Sequence, residues 1–220
     1  MNTTHPVRCK AILFDLDGVL VNSAECVEKT WRSFAARHQL DVDEVLVYAH
    51  GRRTKETIEL VAPGLDADHE VATLERNEAM TTEGVYEIPG ARELLESLRT
   101  DRWAIVTSGI RAVADLRIRF TDLPSPSVMI CADDIAHGKP HPEGYLTAAK
   151  RLGRSPAECI VIEDAPAGIE AAHNAGMRVI AIASTYGRDR LADADLIVDH
   201  LSDLTVLFDG DQIVISSDDA

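Results

Sequence analysis

The chain has 220 residues, with 37 acidic against 22 basic side chains and a formal net charge of −15. That charge works against nucleic acid or an anionic membrane as a partner, and no apolar run approaches the length needed to span a bilayer. A hydrophobic share of 45% suits a globular protein with a proper core, in one large domain or a core with a modest insertion.

The stretch from Met1 to Lys10 lacks the charged-then-apolar layout of a secretory leader. The four cysteines, Cys9, Cys26, Cys131 and Cys159, are widely spaced and form no CxxC pair. They read as small apolar residues of a reduced, cytoplasmic protein. The first element is an apolar run, Ala11–Phe14, with the grammar of a buried strand. It ends in Asp15-Leu16-Asp17-Gly18. Side chains at i and i+2 of a strand point the same way, so Asp15 and Asp17 leave the sheet edge close together. Two such carboxylates repel, and a divalent cation or a shared proton removes the conflict. Gly18 lets the chain turn sharply there. On its own, the stretch reads equally as a solvated turn.

Over residues 24–39 the apolar positions Cys26, Val27, Trp31, Phe34 and Ala35 recur at helical spacing. Further helices are expected at 43–48, Thr54–Val61 and 67–82, with Ala62-Pro63-Gly64 as a break. Residues 23–86 thus read as an all-helical block. After Ile88-Pro89-Gly90 the pattern alternates. Helices are expected at 91–100, 111–120, 142–152 and 165–175, and strands at 103–107, 127–131, 159–162, Arg178–Ile182 and Leu196–Val198. Such alternation predicts a parallel sheet covered on both faces, an α/β core. Residues 207–215 predict a hairpin turning at Asp209-Gly210, and residues 216–220 a frayed tail.

Polar groups end three of the strands: Asp15 with Asp17, Thr107 with Ser108, and Glu163 with Asp164. Ligands of parallel sheets bind at these carboxyl ends. At Thr107-Ser108-Gly109 a hydroxyl and free backbone N–H groups precede a helix and can hold phosphate oxygens, or simply cap that helix. In Gly138-Lys139-Pro140-His141-Pro142-Glu143 the prolines fix the backbone and preset the direction of Lys139. A lysine so placed neutralises a carboxylate nucleophile and a phosphoryl oxygen together. Glu163 and Asp164, at the buried rim of a sheet, are costly unless cations offset them. With Asp15 and Asp17 they form an oxygen-rich cluster suited to magnesium and not to zinc.

In this order, DxDG, apolar-T-S-G, GKPHPE and apolar-E-D-A-P-A-G, running from Asp15 to Gly168, resemble the haloacid-dehalogenase superfamily of aspartate-nucleophile phosphotransferases. The helical block is similar to the cap inserted after the first motif. The resemblance implies a Rossmann-like parallel-sheet core from residues 1–22 and 87–220, with an all-helical cap at 23–86. Trp31-Arg-Ser-Phe34, His50-Gly-Arg-Arg-Thr54, Ala62-Pro63, and Thr107-Ser-Gly109 with Arg111 look like the sugar- and polyol-phosphate phosphatases, glycerol-phosphate and deoxyglucose-phosphate phosphatases among them. β-Phosphoglucomutase is a further relative. Ile110 departs from the small polar residue usual after Ser-Gly in those phosphatases.

The resemblance implies a division of labour. Asp15 attacks phosphorus and becomes an aspartyl phosphate; Asp17 protonates the leaving oxygen and later takes a proton from water. Mg2+ is held by Asp15, the Asp17 carbonyl and Asp164, with Glu163 ligating or orienting a water. Thr107, Ser108, Gly109 and Lys139 bind the phosphoryl group. From their own position near a helical turn, Arg53, in preference to Arg52, is expected to reach polar groups of the substrate, a solvated face being the other reading. The expected protein is a magnesium-dependent phosphatase of a small sugar or polyol phosphate, a monomer or weak homodimer. A sugar-phosphate mutase is the alternative, and a non-enzymatic metal-dependent binding module is the reading from a different class.

Overall fold

A computed structural model describes residues 6–217; the expectations for Met1–His5 and for residues 218–220 of the tail lie outside the described residues. The first elements are β1 (Val7–Cys9), β2 (Ala11–Phe14) and β3 (Val21–Asn22). The helices α1 (Ala24–His38), α2 (Val42–Ala49), α3 (Thr54–Val61) and α4 (Ala67–Glu78) follow, and β4 (Tyr86–Glu87) closes the block. Then come α5 (Ala91–Ser97), β5 (Trp103–Val106), α6 (Arg111–Thr121), β6 (Met129–Ile130), α7 (Glu143–Arg151), β7 (Cys159–Glu163), α8 (Pro166–Asn174) and β8 (Arg178–Ile182). The chain continues with β9 (Leu196–Val198), β10 (Leu204–Asp209) and β11 (Gln212–Ser217).

The main sheet has six strands in the order β6-β5-β2-β7-β8-β9, all pairs parallel. β2 is buried along its whole length because both faces of the sheet are covered. Its alternating side chains divide between two cores. Ile12 and Phe14 join Trp103, Ile105, Ile160 and Leu95 of α5, while Ala11 and Leu13 join Ala104, Val161, Ala148 of α7 and Ala172 of α8. Phe14 is level with Ile105 and with Ile162, so Asp15, Thr107 and Glu163-Asp164 emerge at one edge. No described helix is long and apolar enough to cross a membrane.

Helices α1 to α4 pack around Trp31, Phe34, Val45, Ile58 and Leu74, with Trp31 and Phe34 edge-on at 5.5 Å. Asp41 and Asp66 cap α2 and α4 by accepting from Asp43 N and His69 N. The block is bracketed by the antiparallel pair β3 and β4, where Val21 faces Glu87 and Asn22 faces Tyr86.

A second sheet, β1-β11-β10, is antiparallel. Three differences from expectation lie here. β1 is too short to show a period. The hairpin starts at Leu204, and its register of Asp209 with Gln212 puts the turn on Gly210-Asp211, with Gly210 at φ 59°. Ser216 and Ser217 are paired strand rather than tail, because Ile213 and Ile215 anchor β11 in the main core.

Candidate active site

At the end of β2, Asp15 is 3% exposed. Lys139 Nζ donates to its Oδ1 at 2.5 Å and to Glu163 Oε1 at 2.6 Å. The rest of the Glu163 carboxylate is occupied: Tyr145 OH donates to Oε1 at 2.9 Å, and Asp164 N and Ala165 N donate to Oε2 at 2.8 and 3.0 Å. Glu163, fully buried, therefore fixes Lys139 through a carboxylate that already accepts four hydrogen bonds. Burial, with Glu163 and Asp17 adding to it, raises the Asp15 pKa against the pull of Lys139. Lys139 itself is held charged by the two carboxylates despite its burial.

The Asp164 carboxylate closes the cluster. Oxygens of Asp15, Glu163 and Asp164 lie within 4.8 Å of one another. Asp164 Oδ1 is buried with no hydrogen-bond partner, and burial with the neighbouring acids raises its pKa well above the usual range, Thr185 opposing through a hydrogen bond. An orphaned carboxylate oxygen beside a second carboxylate, with the nearby lysine committed elsewhere, fits a hard divalent cation. The first-motif glycine serves this approach. Gly18 has φ +83°, and a Cβ there would lie 1.9 Å from Asp164 Oδ2.

Asp17 does not point at Asp15. Its Oδ1 accepts from Ser23 Oγ at 2.6 Å, and its Oδ2 pairs with Arg117 Nη1 at 2.6 Å. Arg117 is 4% exposed, on the face of α6 that also buries Val113, Ala114 and Ile118. A cation on an apolar stripe is the one trace of this residue in the sequence; Ser23 and Tyr145 leave none.

Thr107, Ser108 and Gly109 line the same cavity as Asp15 and Asp17. Thr107 Oγ1 accepts from Gly109 N at 3.0 Å and keeps its proton for another acceptor. Ser108 Oγ donates to Gly51 O at 2.9 Å, joining the core to the helical block. Arg53, expected to reach the substrate, does not line this cavity but a smaller one with Thr107, Ser108 and Lys139. Its guanidinium pairs with Glu56 and donates to Ile135 O and Ala136 O at 3.3 and 3.0 Å, while Glu56 Oε1 accepts from Gly138 N at 3.0 Å. Carbonyls of the Lys139 loop and the i+3 glutamate capture it; Arg52 lines the cavity instead.

The family model described as haloacid dehalogenase-like hydrolase matches residues 12–182. The chain is 42% identical to hexitol phosphatase A of Escherichia coli, over 91% of this chain and 95% of that one. It is 36% identical to glycerol-1-phosphate phosphohydrolase 2 of Saccharomyces cerevisiae, over 89% and 85%. Among solved structures, a hydrolase from Pseudomonas syringae superposes with a TM-score of 0.77 at 25% identity, covering 86% of this chain and 93% of that one. The chain belongs to the haloacid dehalogenase-like hydrolase family.

Proposed function

We propose that this hydrolase is a phosphoric monoester hydrolase of small sugar or polyol phosphates, working through an aspartyl phosphate on Asp15. The observation that carries the reading is the buried Asp15–Lys139 pair at 2.5 Å, on a cavity shared with Thr107 and Asp17. Lys139 takes Asp15 Oδ1 and leaves Oδ2 for attack on phosphorus. It also stands ready to offset charge on the phosphoryl oxygens, and Thr107 donates its hydroxyl to one of them. Asp17 gives a proton to the leaving oxygen and afterwards takes one from the water that hydrolyses the aspartyl phosphate. Ser23 and Arg117 fix where that carboxylate stands.

Asp15, Asp164 and the Asp17 carbonyl would hold a magnesium ion, which would supply the positive charge that lets a carboxylate meet an anionic phosphoryl group. Residues 23–86 serve as a cap over the core of 1–22 and 87–220, excluding water until the leaving group departs. Names among the relatives, hexitol phosphatase and glycerol-1-phosphate phosphohydrolase, support a polyol or sugar as the alcohol. Four free, buried cysteines fit a reducing compartment, the cytoplasm.

The test is phosphate release from a panel of sugar and polyol phosphates, after EDTA treatment and with Mg2+ restored. The expected result is steady, Mg2+-dependent phosphate from at least one of them. Isomerised product with little free phosphate would make the protein a mutase. No turnover, with ligand binding intact in Asp15→Asn, would make it a binding module.

A further inference from the structure

We infer that His137, His141 and Glu143 form a second metal site, outside the catalytic cavity, for a zinc-type divalent cation held by two imidazole nitrogens and one carboxylate oxygen. The proposed mechanism leaves these three side chains unused, although they bracket its lysine in the chain. None of them lines the cavity that holds Asp15. Each offers a ligand atom within 4.8 Å of those of the other two. The loop sets their placement. Pro140 and Pro142 flank His141, and the chain turns there, with His141 N donating to Gly138 O at 2.8 Å. The rings of His137 and His141 come to lie side by side, their centroids 4.6 Å apart.

Glu143 is the most firmly held of the three. Its Oε1 accepts from Ala136 N and its Oε2 from His137 N, both at 3.0 Å. Oε2 keeps a further lone pair, which meets His137 Nδ1 at 3.0 Å. His141 Nδ1 lies 4.0 Å from the Glu143 carboxylate and accepts from Glu143 N in a long contact of 3.3 Å, so its lone pair is turned toward the cluster. Zinc bonds of about 2.0–2.2 Å hold neighbouring ligand atoms about 3.3–3.6 Å apart in a tetrahedron. The observed 3.0 and 4.0 Å bracket that spacing, and a turn of the exposed His141 ring closes the difference. The ion then takes the place of the proton that the bond between His137 Nδ1 and Glu143 requires. Lys139 does not compete for this position, because its ammonium is turned inward onto Asp15 and Glu163. The donor set also separates this site from the acidic cluster. Two imidazoles with one carboxylate suit zinc, nickel or copper, whereas magnesium takes oxygens. Cys131, Asp133 and Asp134 also lie together, but Asp134 is spent on Cys131 N and Arg111.

The experiment titrates zinc by calorimetry into the full chain, without an affinity tag and after EDTA treatment. Excess Mg2+ is present throughout, so that the acidic cluster is offered the ion it is proposed to hold. One equivalent of zinc should still bind. His137→Ala and His141→Ala, each checked for folding by its thermal melt, should weaken that binding about tenfold or more, and Asp164→Asn should leave it unchanged. Wild type that takes up no zinc in excess Mg2+ would overturn the inference, as would undiminished binding by the folded His137→Ala/His141→Ala double variant. A second measurement needs no variant: anomalous diffraction at the zinc edge from wild-type crystals soaked in zinc. The expected peak lies between His137, His141 and Glu143, and a peak found only elsewhere contradicts the assignment.

Discussion

Gly168 stands where a side chain would land on the Glu163 carboxylate, since a Cβ there would lie 1.6 Å from Oε1. Glu163 is one of the two anchors of Lys139, so Gly168→Ala reaches Asp15, the proposed nucleophile, through two side chains. Overpacking at a buried site costs about 1–3 kcal/mol. The variant should lose about that much stability in urea unfolding, and its kcat should fall because Lys139 loses its placement. Unchanged stability and rate would show that the carboxylate has room to move. Asp15 and Asp164 stand out in the sequence because each comes at the end of an apolar run, and Lys139 because Pro140 and Pro142 follow it. The partners that hold them are less so. Tyr145 reads as a core residue of α7, and nothing local announces that its hydroxyl reaches Glu163. Arg53 and Arg52 differ by one position, and which of them faces the cavity depends on carbonyls at Ile135 and Ala136, 82 and 83 residues further along the chain.

Between elements, the seam of α3 with the Lys139 loop carries its own consequence. Arg53 and Glu56 clasp the backbone of 135–138, and a Cβ on Gly138 would lie 2.6 Å from Arg53 Nε. In the proposed mechanism the loop serves the phosphoryl group, which every substrate shares. Arg53→Ala should therefore lower kcat/KM by the same factor for a polyol phosphate and for an aryl phosphate. A KM rise confined to the polyol would return Arg53 to substrate contact. On α4, burial together with Glu78 and Asp133 pushes the Glu75 carboxyl up to about 7. A pKa raised in the folded state gives stability that is present below the unfolded value and lost as pH rises through about 7. Thermal melts should thus show wild type losing stability relative to Glu75→Gln as pH climbs from about 6 to about 8. A constant difference across that range would mean that Glu75 titrates normally. Long elements were readable because their periods repeat: α1 and β7 lie where their apolar spacing puts them. The pairs β1 with β11 and β3 with β4 were not, since two- and three-residue strands have no period and exist only through their partners.

As a whole, the molecule is an acidic body, net −15, that is proposed to draw in an anionic ester. Such a substrate is held by charge placed within a few ångströms and not by the long-range field, which salt screens. The fold supplies that placement by ending β2, β5 and β7 at one edge and by bringing the lysine of a loop 124 residues from Asp15 onto its carboxylate. The alternation of strands and helices made the parallel core legible from sequence. The seating of the helical block on it was not, because that depends on close contacts such as Gly51 against Ala165, where a Cβ would lie 2.6 Å away. The most direct test of the account is to quench turnover of a hexitol or glycerol phosphate rapidly in acid and map the phosphorylated peptide. Phosphate should appear on the peptide containing Asp15 during turnover, vanish once substrate is exhausted, and never form in Asp15→Asn. Full-rate hydrolysis without phosphate on Asp15, or hydrolysis sustained by Asp15→Asn, would contradict it.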